Sequence, residues 1–296
     1  LAVLNALSAV GIFDDVLAPA TGDYRYLPSQ GALVARNVLS IGTPRLRQLG
    51  YKQLREFAAR ALSALAEVAP DTQHLAMTIH GPGFGLDELE ALRSQVAGYQ
   101  GALQAGTFPP ALRQISIVEM RESRLERLRQ ALESDFAENA GVSPAGNTWG
   151  YYLTLSQPNA EPQPIKDTKR HVFVIMPPEE DLDDIFYYGL QGPAHALGLL
   201  CERIEAKTLT NELLEQARQR IDTAAVVIVA LTRPDPHLYL QLGYAWGKGH
   251  PIILVARDAR VFEFDFGTRL IYHSIKHLES GLSKALNGLK TQGRLD

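Results

Sequence analysis

The strongest constraint on the fold is the stretch Val226-Val-Ile-Val-Ala-Leu-Thr-Arg-Pro-Asp-Pro-His-Leu-Tyr-Leu-Gln-Leu-Gly-Tyr-Ala-Trp-Gly-Lys-Gly-His-Pro-Ile-Ile-Leu-Val255. Its first apolar run, Val226 to Leu231, is short, rich in β-branched residues and lacks a period of two, which suits a central parallel strand covered on both faces. Thr232 to Pro236 is turn chemistry, with Asp235 placed to cap a helix and Pro236 at its first position. Gly249 stops that helix, and Pro251 to Val255 reads as the next buried strand. At about 100° per residue, His237, Gln241 and Tyr244 share one side of the helix, while Leu238, Leu242 and Ala245 turn toward the sheet. Polar groups at such a helix start lie above the carboxyl ends of the strands, where open α/β sheets bind ligands.

The rest of the second half follows the same alternation. Strands are predicted at His171 to Met176 and Leu199 to Glu205, helices at Leu182 to Leu197 and Asn211 to Thr223, and a final strand and helix between Leu270 and Leu289. Five strands alternating with helices predict a flavodoxin-like, doubly wound parallel sheet. Met176, Pro177 and Pro178 end the first strand at the same edge as Thr232 to His237. Arg203 lies near the second strand's end, either facing a ligand or paired with Glu202 or Glu205. Asp183 and Asp184 read as acidic residues at a helix start, and Cys201 as a packing residue.

Residues 1–137 form a first α/β domain in βαβα order, which predicts a largely parallel sheet. Gly31 to Ile41 reads as a strand or strand pair, Tyr51 to Val68 as a helix, His74 to Ile79 and Ile115 to Glu119 as strands, and Leu86 to Leu103 and Arg121 to Phe136 as helices. Between a strand and a helix lies the glycine-rich loop His80-Gly-Pro-Gly-Phe-Gly-Leu-Asp-Glu88. Such a loop can turn successive N–H groups onto a phosphate at a helix N-terminus, with Asp87 otherwise serving as an ordinary cap. Residues 138–168 are rich in Pro, Gly and Asn and mark a boundary; Trp149 to Leu155 within them is apolar enough to add an edge strand.

Composition narrows the function classes. A net charge of −4 carries no basic signature, which argues against nucleic acid as the main partner. The single cysteine, Cys201, excludes an internal disulfide and fits a reducing cytoplasm. No run approaches the ~20 apolar residues of a membrane helix. The chain begins at Leu1 in mid-pattern, and the expectation is of a truncated chain with room for an upstream domain.

Ala230-Leu-Thr-Arg-Pro-Asp-Pro-His-Leu-Tyr-Leu-Gln-Leu-Gly-Tyr-Ala245 resembles, without a gap, the pattern D-L-T-x-x-N-P-N-V-x-x-E-L-G-x-A of the nucleoside 2-deoxyribosyltransferase-like and TIR-like family. His171-Val-Phe-Val-Ile-Met-Pro177 is similar to that family's opening block, and Phe264, Asp265, Arg269 and Tyr272 to its closing one. Together the blocks cover about residues 169–292. The loop at His80, with Ala20-Thr-Gly-Asp-Tyr24 as a loose counterpart, resembles the phosphate loops of macro domains and of the related N-terminal domain of leucyl aminopeptidases. The resemblance implies an NAD or related nucleotide N-glycosidase, an effector of bacterial antiphage defence that assembles into homo-oligomers. NAD would be its substrate, with no other cofactor and no metal. Met176, Pro177, Arg203, Asp235, His237 and Tyr244 would bind the substrate, with Tyr239, Tyr244 or Trp246 available to stack on a base. His80, Gly81, Gly83, Phe84 and Gly85 would bind a nucleotide signal.

One position departs from the family. Where its catalytic carboxylate stands, this chain has Gln241, an amide of nearly the same shape without the charge an oxocarbenium-like centre needs. Two accounts follow: a natural non-catalytic nucleotide binder, or a Glu→Gln substitution that holds substrate without turnover, which the otherwise well-kept motif favours. A nucleoside 2-deoxyribosyltransferase is a third reading, to which the extra domain is foreign.

Overall fold

The alternation of apolar runs and amphipathic segments is realised in a computed structural model that describes residues 6–12, 18–136, 140–144, 151–155, 169–206, 210–233, 235–262 and 265–295. The chain forms two compact units. One comprises Leu1–His80 and Ala91–Ile165, and the other Gly81–Glu90 and Lys166–Asp296. The glycine-rich loop therefore packs with the second half of the chain, although it interrupts the first.

In the first unit, β1 (Tyr24–Pro28) and β2 (Asn37–Ile41) form an antiparallel pair. Tyr24, the last residue of the loose loop counterpart Ala20 to Tyr24, opens β1. The helix α1 (Tyr51–Val68) buries Leu54, Ala58, Ala61, Leu62, Ala64 and Leu65, while Phe57, at the same helical spacing, is half-buried. The strand β3 (His74–Met77) leads into the loop and α2 (Glu88–Gln104), followed by β4 (Gln114–Glu119), α3 (Glu122–Phe136), β5 (Ala140–Pro144) and β6 (Tyr151–Leu155). Ala58 and Leu62 of α1 meet Tyr99 and Ala102 of α2 over Ile115 of β4. Gly98 permits that approach, because a Cβ there would lie 2.2 Å from the Arg55 carbonyl oxygen.

The sheet of this unit corrects two expectations. Its order is β3-β4-β6-β5, and only β3 and β4 are parallel; β4–β6 and β6–β5 are antiparallel. The short connection between β5 and β6 allows only a hairpin, since a parallel crossover needs a dozen or more residues. The strand expected at the edge, β6, is interior. Trp149 and residues 156–168 lie outside the described residues.

In the second unit, β7 (His171–Ile175) is followed by a segment that is π-helical over Ile185–Gln191 and α-helical over Gly192–Ala196, together α4. The wider turn precedes Pro193, whose ring would clash with the carbonyl four residues back in a regular helix. Then come β8 (Leu200–Arg203), α5 (Asn211–Thr223), β9 (Val226–Ala230), α6 (Pro236–Gly247), β10 (Ile252–Ala256), β11 (Thr268–Ile271) and α7 (Ile275–Thr291). All five strands are parallel, in the order β11-β10-β9-β7-β8. Counted within this unit, that is the flavodoxin-like 2-1-3-4-5 order.

Every residue of β7, β9 and β10 is buried, as their unalternated apolar runs require. Val172, Val174, Val226, Ile228 and Ile253 pack with Leu278, Leu282 and Leu286 of α7. On the other face Phe173, Ile175, Val227, Val229 and Leu254 pack with Leu238, Leu242 and Ala245 of α6. Among the described residues no helix is long and apolar enough to cross a membrane.

Candidate functional site

The chain reverses its direction of winding between β7 and its two neighbours, β8 and β9. The loop after β7 leads to the α7 face of the sheet and the loop after β9 to the α6 face, so a crevice opens at the carboxyl ends of these strands. Arg233 of the second loop spans to the first, pairing with Glu179 and with Asp181 at 3.1 Å. Both ion pairs are exposed, and such pairs contribute little on their own.

Beyond Arg233 the helix start is built as its sequence dictates. Asp235 has extended backbone angles, and its Oδ1 accepts the His237 N–H at 2.8 Å; Pro236 occupies the first helical position, where no N–H is needed. Leu238 and Leu242 anchor α6 on the sheet. One helical turn separates His237 from Gln241, so both face the same cleft.

That cleft lies between α6 and the ends of β7 and β8. Phe173, Ile175 and Met176 line its floor, Asp235, His237 and Gln241 one wall, and Ile204 and Ala206 the other. Its free volume is about 50 Å³, far below the ~300–1,000 Å³ of pockets that enclose a small molecule. The cleft can therefore seat one group of a ligand, while the remainder lies across the carboxyl edge of the sheet. Among the described residues that line the cleft Asp235 is the only carboxylate, and Gln241, on the same wall one helical turn beyond His237, is a neutral amide.

Of the residues expected to bind substrate, Met176, Asp235 and His237 come together with Gln241 at this cleft. Pro177 is buried, and its neighbour Pro178 reaches the cleft instead. Arg203 is placed differently from the ligand-facing position considered for it. It is 4% exposed, with its guanidinium between Asp183 at 2.7 Å and Glu205 at 2.6 Å and its central carbon Cζ 4.0 Å from the Phe186 ring centroid. Burial opposes the charge of Arg203, but Glu205, Tyr187 and Asp183 outweigh it and push its pKa above the ordinary value. Tyr244 turns toward α5, donating its hydroxyl to Asp222 at 2.8 Å. Trp246 stacks on Phe266 with ring planes 9° apart, and neither Tyr239 nor Trp246 lines the cleft. Phe264 lies outside the described residues. Ile204 and Ala206 carry no sequence signal of a site; aliphatic side chains have no chemical signature, and only their position after β8 marks them.

The glycine-rich loop is also placed differently from a phosphate cradle. The Phe84 and Gly85 N–H groups donate to Gly81 O and Arg203 O, each at 3.0 Å, and the Leu89 and Glu90 N–H groups donate to Asp87 Oδ1. Gly81, Gly83 and Gly85 have φ of 101°, 82° and 85°. The glycines are needed for a tight course beside β8: a Cβ on Gly83 would touch Glu205, and one on Gly85 would lie 3.3 Å from Arg220 Cγ. His80 packs its ring against Phe57, with centroids 4.7 Å apart, inside the first unit.

Two further buried groups have structural partners. His171 Nε2 donates to the Arg220 carbonyl at 2.9 Å. Cys201 is 1% exposed, and burial first, then the nearby Asp87 charge, pushes its thiol well above its ordinary value, so it lacks the thiolate character of a nucleophile. Among the described residues no group of three or more His, Cys, Asp or Glu is placed to hold a metal ion.

Compared with family models and with curated proteins, the chain matches none.

Proposed function

We propose that the second unit is a nucleotide N-glycosidase site of the NAD-cleaving type, held in an inactive form by Gln241. The observation that carries this reading is the convergence of Met176, Asp235, His237 and Gln241 on one cleft at the carboxyl edge of a flavodoxin-ordered sheet. Loss of nicotinamide leaves an oxocarbenium-like ribose, which needs negative charge beside the anomeric carbon. A carboxylate at position 241 would supply it from a helix fixed by Asp235, Leu238 and Leu242. With the amide in place, ribose hydroxyls can still be bound while the transition state is not stabilised. The biological reading that accompanies this chemistry is a cytoplasmic antiphage effector that assembles into homo-oligomers and answers a nucleotide signal through its first unit. Gly83, Phe84 and Gly85 of the loop are paired along β8, so the signal site is proposed elsewhere in the first unit.

The test is Gln241→Glu, assayed for nicotinamide release from NAD and for free base from nucleosides. One preorganised electrostatic group contributes ~10²–10³ in rate, so the Glu form is expected to exceed the Gln form by at least that factor. Absence of base release from every substrate, with candidate nucleotide signals added, removes the enzyme reading. A second reading, a nucleotide-binding module without catalysis, is favoured by the neutral Gln241 itself. It predicts NAD binding that is unchanged by Gln241→Glu and no turnover in either form.

A further inference from the structure

The segment Gly81–Glu90 packs as part of the second unit, while the chain at both its ends continues in the first. It lies along β8, the edge strand of the parallel sheet. Phe84 forms an antiparallel bridge with Ile204, the Gly85 N–H donates to Arg203 O at 3.0 Å, and the Glu205 N–H donates to Gly83 O at 2.9 Å. From α5, Gln216 Nε2 donates to Phe84 O at 2.6 Å. The segment thus covers an edge that would otherwise present unpaired backbone groups.

What fastens it is mainly polar. Asp87 is 1% exposed and accepts four hydrogen bonds: from His195 Nε2 at 2.6 Å, the Cys201 N–H at 2.8 Å, the Leu89 N–H at 3.0 Å and the Glu90 N–H at 3.1 Å. Glu88 accepts the Tyr187 hydroxyl at 3.3 Å, and Glu90 meets Lys169 Nζ at 2.7 Å. All three carboxylates are at most 3% exposed. A buried carboxylate is tolerated only while its partners are in place, so these bonds act together. Leu86 is the buried apolar anchor, whereas Phe84 is 43% exposed. A segment held this way can leave without uncovering a large apolar surface.

We propose that Gly81–Glu90 is a strap that positions the wall of the cleft, and that Asp87 on His195 and the Cys201 N–H is its latch. Ile204 is at once the strap's bridge partner and a cleft wall, and the strap binds the residues on both sides of it, Arg203 and Glu205. Release of the strap frees Ile204 and Ala206 to move away from Gln241. The control of ligand binding rests on the cleft being the ligand site proposed above; the latch itself does not.

Hydrogen exchange on the whole chain tests both parts, comparing Asp87→Ala, His195→Ala and His195→Gln with the parent. The Gln side chain keeps a donor near the position of His195 Nε2. The alanine variants are expected to speed exchange of the Gly85 and Glu205 amides ~10–100-fold, the effect of losing a buried hydrogen-bonded partner. Exchange in β9 and β10 stays unchanged, which confirms folding, and His195→Gln retains most of the protection. Calorimetry with NAD is expected to show several-fold weaker binding by the alanine variants. Equal protection of Gly85 and Glu205 in all four proteins overturns the latch. Lost protection with unaltered NAD affinity overturns the positioning of the wall. If the parent binds no NAD, the functional reading fails, while exchange of the Ile204 and Ala206 amides still decides whether the strap fixes the wall.

Discussion

Replacing Arg203 by Met separates a structural cation from a substrate-binding one. The guanidinium is 4% exposed and touches two carboxylates, Asp183 at 2.7 Å and Glu205 at 2.6 Å, whose side chains are 20% and 28% exposed. Met fills most of the volume against Phe186 but leaves the two acids facing each other without a cation. Breaking a fully buried ion pair by removing one partner costs ~3–5 kcal/mol. Here water reaches both acids in part and recovers some of their solvation, so a loss of about 2–3 kcal/mol is expected. With a urea m-value of ~2 kcal/mol/M for a unit of this size, the midpoint of the second unit falls by about 1–1.5 M. The triple change Arg203→Met, Asp183→Asn and Glu205→Gln removes all three charges and is expected to recover most of the loss. Urea unfolding followed by circular dichroism checks both values. An unchanged midpoint in Arg203→Met together with lost NAD binding would refute the argument and return Arg203 to the ligand.

Burial alone would raise the Asp87 carboxyl pKa, but the His195 hydrogen bond and charge, with the Cys201 and Glu90 N–H groups, hold it below the ordinary value. A carboxyl depressed on folding contributes stability that is complete above its unfolded pKa of ~3.9 and is lost as pH falls through the folded value. The destabilisation caused by Asp87→Asn should therefore be present at pH 5 and shrink as pH falls below about 4; an undiminished effect at about pH 3, in urea titrations of both proteins, would assign it to another group. Leu282→Ala opens a cavity where α7 meets β9 and β10 at a fully buried site, with an expected cost of ~2–5 kcal/mol by the same unfolding assay. Asp235→Ala removes the α6 cap and is expected to cost ~0.5–2 kcal/mol. A much larger loss, or none, would show that its bond to the His237 N–H is not what holds the helix start.

The architecture of the second unit was legible because its signals are local. Short unalternated β-branched runs suit strands covered on both faces, and Asp235-Pro236 and Gly249 carry the start and stop signals of a helix. His237 and Gln241 share the cleft because helical spacing alone puts residues four apart on one side. Arg203, Tyr244 and the glycine loop depended on partners that no local rule names. Arg203 is enclosed by Asp183 from the loop after β7, and Tyr244 is drawn aside by Asp222 of α5. His80 to Glu88 has the composition of a phosphate loop, yet the edge of β8, more than a hundred residues away in sequence, accepts the Gly85 N–H at Arg203 O and donates the Glu205 N–H to Gly83 O, while the Phe84 N–H turns back onto Gly81 O. The antiparallel hairpin of β5 and β6 was hidden for a related reason: turn residues mark a boundary, and only the pairing of the chain beyond decides whether a domain ends there. In the second unit sequence determined which segments are strands and helices and which side of each is apolar, since backbone sterics and side-chain periodicity act over a few residues. Which polar groups face solvent or ligand was left to tertiary structure, because a buried charge or unpaired N–H must find whatever partner the completed fold brings beside it.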